Sequence, residues 1–210
     1  MTRYYLADLH LGHDLVAEHR GFDSTADHDN AVMESLLTLG KGDQLWVLGD
    51  ICGGSTAGAN YALDRLADID DDVEMFLVAG NHDKCWAGHR DAHRHVDTFL
   101  DVFDGVTAFA RHRVNVAGKA NHVMLSHFPY VGDHTDDDRY VEYRLRDTGR
   151  WLLHGHTHSG LSYQPLIHPR QLCVSWDAWG SAVPDYTIGT LIGELEARAL
   201  EAEARRSVLV

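Results

Sequence analysis

Glu74-Met75-Phe76-Leu77-Val78-Ala79-Gly80-Asn81-His82-Asp83 is the stretch that decides the fold. Its first six residues form an apolar run too short for a stable helix and rich in β-formers, so they read as a strand. The next four put an amide, an imidazole and a carboxylate on a turn opened by glycine. Four other segments follow the same pattern. Arg3 to Ala7 ends at Asp8, and Gln44 to Leu48 ends at Gly49-Asp50. His122 to Leu125 ends at Ser126-His127, and Trp151 to Leu153 ends at His154-Gly155-His156-Thr157-His158.

Between the early runs lie helical stretches. Asp27 to Leu39 places Ala31, Leu36 and Leu39 near one face, with Asp27 or Asp29 as the expected cap. Ala57 to Ala67 carries Ala59, Leu63 and Leu66 at helical spacing. Strand–helix alternation predicts parallel strands and an α/β fold. The later part reads as strand-rich: Val106 to Phe109, Arg113 to Val116, His122 to Leu125, Gln171 to Val174. A final helix is expected from about Thr190 to Arg205. Its stripe of Leu191, Leu195 and Ala199 packs on the body or on a partner chain, which leaves a homo-oligomer open. Ligands of α/β sheets bind outside the carboxyl ends of the strands. Five strands therefore deliver acid, amide and imidazole groups to one rim.

Composition narrows the classes. The chain has 210 residues, 44% of them hydrophobic, with no Ser/Gly/Pro-rich linker and no repeat. That fits one domain, 1–210, with a core that stands without staples. A net charge of −14 argues against duplex nucleic acid or an anionic membrane as partner. It is compatible with a phosphate substrate, because bound cations invert the local field. Cys52, Cys85 and Cys173 are odd in number and widely spaced, so no disulfide framework is expected. Without a signal-peptide pattern or a long apolar run, a cytoplasmic location is the expectation.

Sixteen His is a high count, and their clustering carries the chemistry. Asp8-x-His10 alone is weak, and Asp91-x-His93 is a decoy on a helical stretch where i and i+2 diverge. Gly155-His156-x-His158 at a strand end is a strong metal pair. The ordered set D-x-H, G-D, G-N-H-D, H and G-H-x-H, each on a strand end, is hard to obtain by accident.

That set, from Asp8 to His158, resembles the calcineurin-like metallophosphoesterase superfamily. Asp8-Leu9-His10-Leu11-Gly12-His13 and Asp177-Ala178-Trp179 resemble its short bacterial and phage members. The resemblance implies a four-layer α/β/β/α sandwich with two mixed sheets. It implies one metal on Asp8, His10, Asp50 and His158, and another on Asp50, Asn81, His127 and His156, with Asp50 bridging. His82 would act as general acid at the leaving oxygen, with Asp83 orienting it. Imidazole and oxygen donors without thiolate suit two divalent or trivalent ions, Mn first, with Fe, Zn or Ni as alternatives. Two such ions roughly 3.5–4 Å apart clamp a phosphoryl group and activate a water for in-line attack.

The expected reaction is phosphodiester hydrolysis on a small substrate such as a cyclic nucleotide, a nucleotide being one form of small phosphoester partner. A phosphomonoesterase, a mononuclear zinc hydrolase and a catalytically silent protein-binding scaffold are the rivals. His13, His154 and Asp177 are candidates for supporting a ligand or touching substrate. Trp86, Tyr130, Trp176 and Trp179 either stack a base or pack. Arg139, Arg144 and Arg146 either hold a second phosphate or pair with Asp136 to Asp138. The stretches Asp14 to Asp27 and Pro129 to Arg139 are expected as rim loops that set specificity.

Overall fold

The computed structural model describes residues 1–208. The elements in order are β1 (Arg3–Leu6), α1 (Asp14–His19), α2 (Thr25–Leu36), β2 (Gln44–Val47), α3 (Thr56–Leu66) and β3 (Glu74–Val78). There follow α4 (Val96–Leu100), β4 (Gly105–Thr107), β5 (Ala110–Val116), β6 (Lys119–Leu125) and β7 (Trp151–His154). The chain then forms β8 (Gln171–Cys173), α5 (Trp176–Trp179), β9 (Val183–Pro184) and α6 (Asp185–Val208).

The result is a mixed α/β fold with two mixed sheets. One has the order β4-β3-β2-β1-β9, parallel except for β9, and the other has the order β5-β6-β7-β8. In the second, only the β5–β6 pair is antiparallel. Strand side chains alternate between faces, and that alternation splits the core in two. Tyr5, Leu48 and Val78 meet Val114, Val123, Leu153 and Leu172 between the sheets. Leu6, Leu45, Val47 and Leu77 face the other way, onto Val32 and Leu36 of α2 and Ala59, Leu63 and Leu66 of α3. Each fully buried aliphatic side chain contributes about 1.5–3 kcal/mol relative to exposure. Helix α6 packs against β5, β9 and β1, and its Ile188 and Ile192 join the core between the sheets. Among the described residues no helix is long and apolar enough to cross a membrane.

Two expectations shift. The cap of α2 is Ser24, whose Oγ accepts from the Asp27 N–H at 3.1 Å, and not Asp27 or Asp29. Asp29 is instead fully buried and bonded elsewhere. The last helix starts at Asp185, before the expected Thr190, because Asp185 follows directly on β9 and the Ile188 side reaches the core.

Register fixes the site. Arg3, Gln44 and Glu74 are aligned across three parallel strands, so their following loops leave at one level. Asp8 N–H donates to Gly49 O, and His10 N–H to Asp50 O, both at 3.0 Å. In the second sheet Val123 aligns with Trp151, and Gly155 N–H donates to His127 O at 3.0 Å. Ala7 N–H to Val174 O, also 3.0 Å, stitches the two sheets together at this end.

Candidate metal centre

Backbone conformation marks the place. Among the described residues seven non-glycines have positive φ, and five of them are Asp8, His10, Asp50, His156 and His158. A left-handed L-residue costs roughly 1–2 kcal/mol, so this concentration of strain is held by its surroundings and points to function. Asp8, His10, Asp50, His127 and His156 are all buried as well.

The ligand-type atoms of Asp8, His10 and His158 lie within 4.8 Å of one another, and so do those of Asp8, Asp50 and His127. Asp50 Oδ2 is 3.9 Å from His10 Nε2 and 3.3 Å from His127 Nε2, so one oxygen faces both groups. Asn81 Oδ1 is 3.2 Å from His127 Nε2. The His156 ring is 5.2 Å from the His127 ring, and the His156 backbone N–H donates to both oxygens of Asp8. Six of the seven candidate ligands thus share contacts at the sheet junction, and His156 adjoins them through its backbone while its ring groups with Asp133 and His134.

The donor set fits a metal. Both ring nitrogens of His10 are buried without a hydrogen-bond partner. A buried orphan of this kind is costly unless a further partner takes the lone pair, and a cation among Asp8, His10 and His158 could do so. The other imidazoles are oriented from behind. His127 Nδ1–H donates to Leu48 O at 2.8 Å, which turns Nε2 toward Asp50 and Asn81. His158 Nδ1 lies 3.1 Å from Asp177 Oδ2, and His156 Nε2 lies 3.1 Å from Asp133 Oδ2. Histidine ligands are commonly fixed in this way by a carboxylate or carbonyl on the second nitrogen.

Glycine makes the closeness feasible. A Cβ on Gly49, whose φ is +87°, would sit 2.5 Å from His127 Nδ1. One on Gly155 would sit 2.6 Å from Ala7 Cβ and from Asp8 Oδ2. The glycines of the G-D and G-H-x-H motifs are thus the gaps into which neighbouring ligands fit.

Relatives of the whole chain exist. No family model matches it. The Gene 66 protein of Mycobacterium phage L5 is 42% identical over 197 residues, covering 91% of this chain and 94% of its own. The Gene 66 protein of Mycobacterium phage D29 is 40% identical over 195 residues, covering 92% and 96%. The chain belongs to the Gene 66 family. A solved structure, the protein of unknown function AQ665 from Aquifex aeolicus, has a similar fold. Its TM-score is 0.64 at 20% identity, over 89% of this chain and 97% of that one.

Electrostatics in this Gene 66 family member follow from burying so many charges. Burial raises the Asp8 carboxyl pKa. Burial pulls Asp50 the same way, but the His127, His10 and His82 imidazoles outweigh it and hold it below the usual carboxylate range. For His127 burial acts downward, and the Asp50 carboxylate overrides it, pushing the pKa up to about 9. Burial carries His10 well below its ordinary value and His156 down to about 3. His127 thus carries the counter-charge of Asp50 while His10 and His156 stay neutral, and, against burial, Asp177 and Asp8 raise the His158 pKa.

The other candidates occupy varied positions. His82 is half-buried, its backbone N–H donates to Asp50 Oδ1 at 2.8 Å, and its ring lies 5.5 Å from that of His10. Asp83 does not orient the His82 ring. Its carboxylate accepts from the backbone N–H groups of Asp50, Ile51 and Gly80 at 3.0, 3.0 and 2.7 Å. It staples the β2 and β3 loops together because those amides, not the imidazole, are within reach. Burial, then Asp50, push its pKa up to about 7. His13 caps α1 through Val16 N–H and sets its ring 5.6 Å from His10. His154 is buried, held neutral by burial with a pKa down to about 4, and donates to Gly155 O. It lines a cavity of about 100 Å³ with Asp133, Thr157, Gln171 and Cys173.

Several expectations resolve into packing. Trp86, Tyr130 and Trp176 are buried, and Trp179 donates to Cys173 O. The three cysteines are free and buried. Arg139 and Arg144 turn to Asp133, and Arg144 also to Asp138. Asp133 itself carried no expectation. Gly132-Asp133 repeats the Gly49-Asp50 pair, and that is the one signal that marks it. Arg20, His28 and Asp29, all close to the site, belong to no motif.

Proposed function

We propose that this Gene 66 family member is a phosphoester hydrolase working with two metal ions, built on the calcineurin-like four-layer α/β/β/α sandwich. The observation that carries the reading is His10. It is a buried imidazole with both nitrogens unpartnered, set among Asp8, Asp50 and His158. One ion would be held by Asp8, His10, Asp50 and His158, and the other by Asp50, Asn81, His127 and His156. Bound there, Mn, Fe, Zn or Ni supplies Lewis acidity and an activated water.

The chain's own groups do the rest. Asp8 and Asp50 offset the cations' charge in a buried setting. Positive charge at the rim draws a phosphate to a chain of net charge −14. A methyl on Gly54 would meet His82 Nδ1 at 3.1 Å, so Nδ1 faces that loop and Nε2 is left for the leaving oxygen. A proton on Nε2 would pass to the departing alkoxide, a contribution of about 10²–10⁴ in rate. His13 beside His10 would contact the phosphate. The favoured substrate is a small diester, a cyclic nucleotide among them, over a monoester.

The test is metal analysis of the Mn²⁺-reconstituted chain together with assays on bis(p-nitrophenyl) phosphate and p-nitrophenyl phosphate. Two ions per chain with diester turnover, reduced about 10²–10⁴-fold in His82→Ala with metal retained, is the expected result. Monoester turnover alone would replace the substrate class. Full metal without turnover on either ester would point to a binding scaffold.

A further inference from the structure

We infer that Arg20 is the positioning residue of the site formed by Asp8, His10 and His158, and that His28 and Asp29 anchor it there. The inference rests on the two-metal reading and adds to it a residue outside every motif. Arg20 closes α1, and its side chain is 6% exposed. Its Nε and Nη2 donate to Asp177 Oδ1 and Oδ2, each at 2.9 Å, a two-pronged grip. Nη2 also donates to Asp8 O at 2.7 Å, and Nη1 to Leu9 O at 3.3 Å. Nη1 reaches His28 Nε2 at 2.8 Å. A guanidinium has five N–H donors, and these contacts use all of them.

The relay has a fixed direction. Arginine only donates, so His28 Nε2 accepts and the His28 proton sits on Nδ1. Nδ1–H then donates to Asp29 Oδ1 at 2.8 Å, with both residues fully buried. Asp29 Oδ2 accepts from Gly12 N–H at 2.9 Å and from Tyr61 O–H at 2.8 Å. The segment from Asp8 to Gly12 has positive φ at Asp8, His10 and Gly12. Arg20 grips the carbonyls at its start and Asp29 the amide at its end. Through Asp177, 3.1 Å from His158 Nδ1, the same guanidinium fixes the third imidazole or carboxylate of the set. One side chain therefore sets the backbone under Asp8 and His10 and the ring angle of His158. Lysine has neither the fork nor enough donors to do this.

The experiment uses the full chain stripped of metal and titrated with Mn²⁺ by calorimetry, with the melting temperature recorded metal-free. Wild type should bind two ions. Arg20→Met and Asp177→Asn should each keep one tight site and weaken the other by about 10–100-fold. Their double variant should be no weaker than Arg20→Met alone, and Arg20→Lys should not rescue. Turnover of the variants should recover at high Mn²⁺. Should Arg20→Met fail to fold, Arg20→Lys decides, since it keeps a charge under Asp177 but lacks the fork, and selective weakening of one site is again the expected result. Wild-type affinity at both sites in these variants, or equal weakening of both sites, overturns the role of Arg20. A wild-type chain that binds no Mn²⁺ overturns the two-metal reading instead.

Discussion

His156 and His158 sit two residues apart, and each places one ring nitrogen 3.1 Å from a carboxylate that is itself gripped by arginine. The supports differ. Behind His158, Asp177 is held by Arg20 at the end of α1, which leans on the buried His28–Asp29 pair of α2. Behind His156, Asp133, whose side chain is 0% exposed, is held by Arg139 and Arg144 from the loop after β6, with Arg139 39% exposed and Arg144 3%. Charge-assisted bonds in the interior hold geometry tightly, whereas those at the surface are screened and shared with water. One half of the site is braced from helices α1 and α2, and the other from a loop whose outer arm, Arg139, is open to solvent and salt.

The largest expected effect removes what the halves share. Asp50→Asn should take both ions away, because Asp50 Oδ2 faces His10 and His127 together. Elemental analysis checks it, and retention of two ions would show that the halves are independent. Next come the braces. Asp133→Asn should weaken one ion by less than Asp177→Asn does, about tenfold or under, and its effect should shrink as ionic strength rises, because salt already screens the exposed Arg139 arm in wild type. Parallel Mn²⁺ titrations at two salt concentrations measure this, and equal, salt-independent losses would erase the contrast.

A proton should mark the His127 side. In the metal-free chain its pKa is raised to about 9, so it is charged at pH 7.5, and a ligand imidazole must be neutral. Mn²⁺ binding there should release about one proton, and apparent affinity should climb with pH until about 9. Linkage gives the matching sign for stability. The raised pKa stabilises the metal-free chain fully below the unfolded value near 6.5, and that share is lost as pH rises through about 9. Calorimetry in buffers of different ionisation enthalpy reads the proton directly. The smallest effect is steric. Gly49→Ala, with strain and an overlap at His127, should cost about 1–3 kcal/mol. That corresponds to a fall of roughly 2–4 °C in Tm per kcal/mol for a chain of this size.

The same contrast explains what could be read from the chain beforehand. The strands were legible because the runs are short and apolar, and the candidate ligands because each run ends in its own polar cluster that parallel register brings to one level. Asp177 was legible only as a candidate beside two tryptophans. Arg20 was not, since it meets Asp177 across 157 positions and no local pattern encodes that contact. His28 and Asp29 looked like ordinary helix residues, and Asp29 like a cap, because burial and partner are tertiary facts. Asp83 was expected beside the His82 ring, yet three backbone amides reach it first.

The most direct measurement is the metal content of the wild-type chain after Mn²⁺ loading and exhaustive dialysis, beside Asp50→Asn treated identically. Two ions per wild-type chain and none in the variant is the predicted result. A wild-type chain that emerges without metal would contradict the account at its centre.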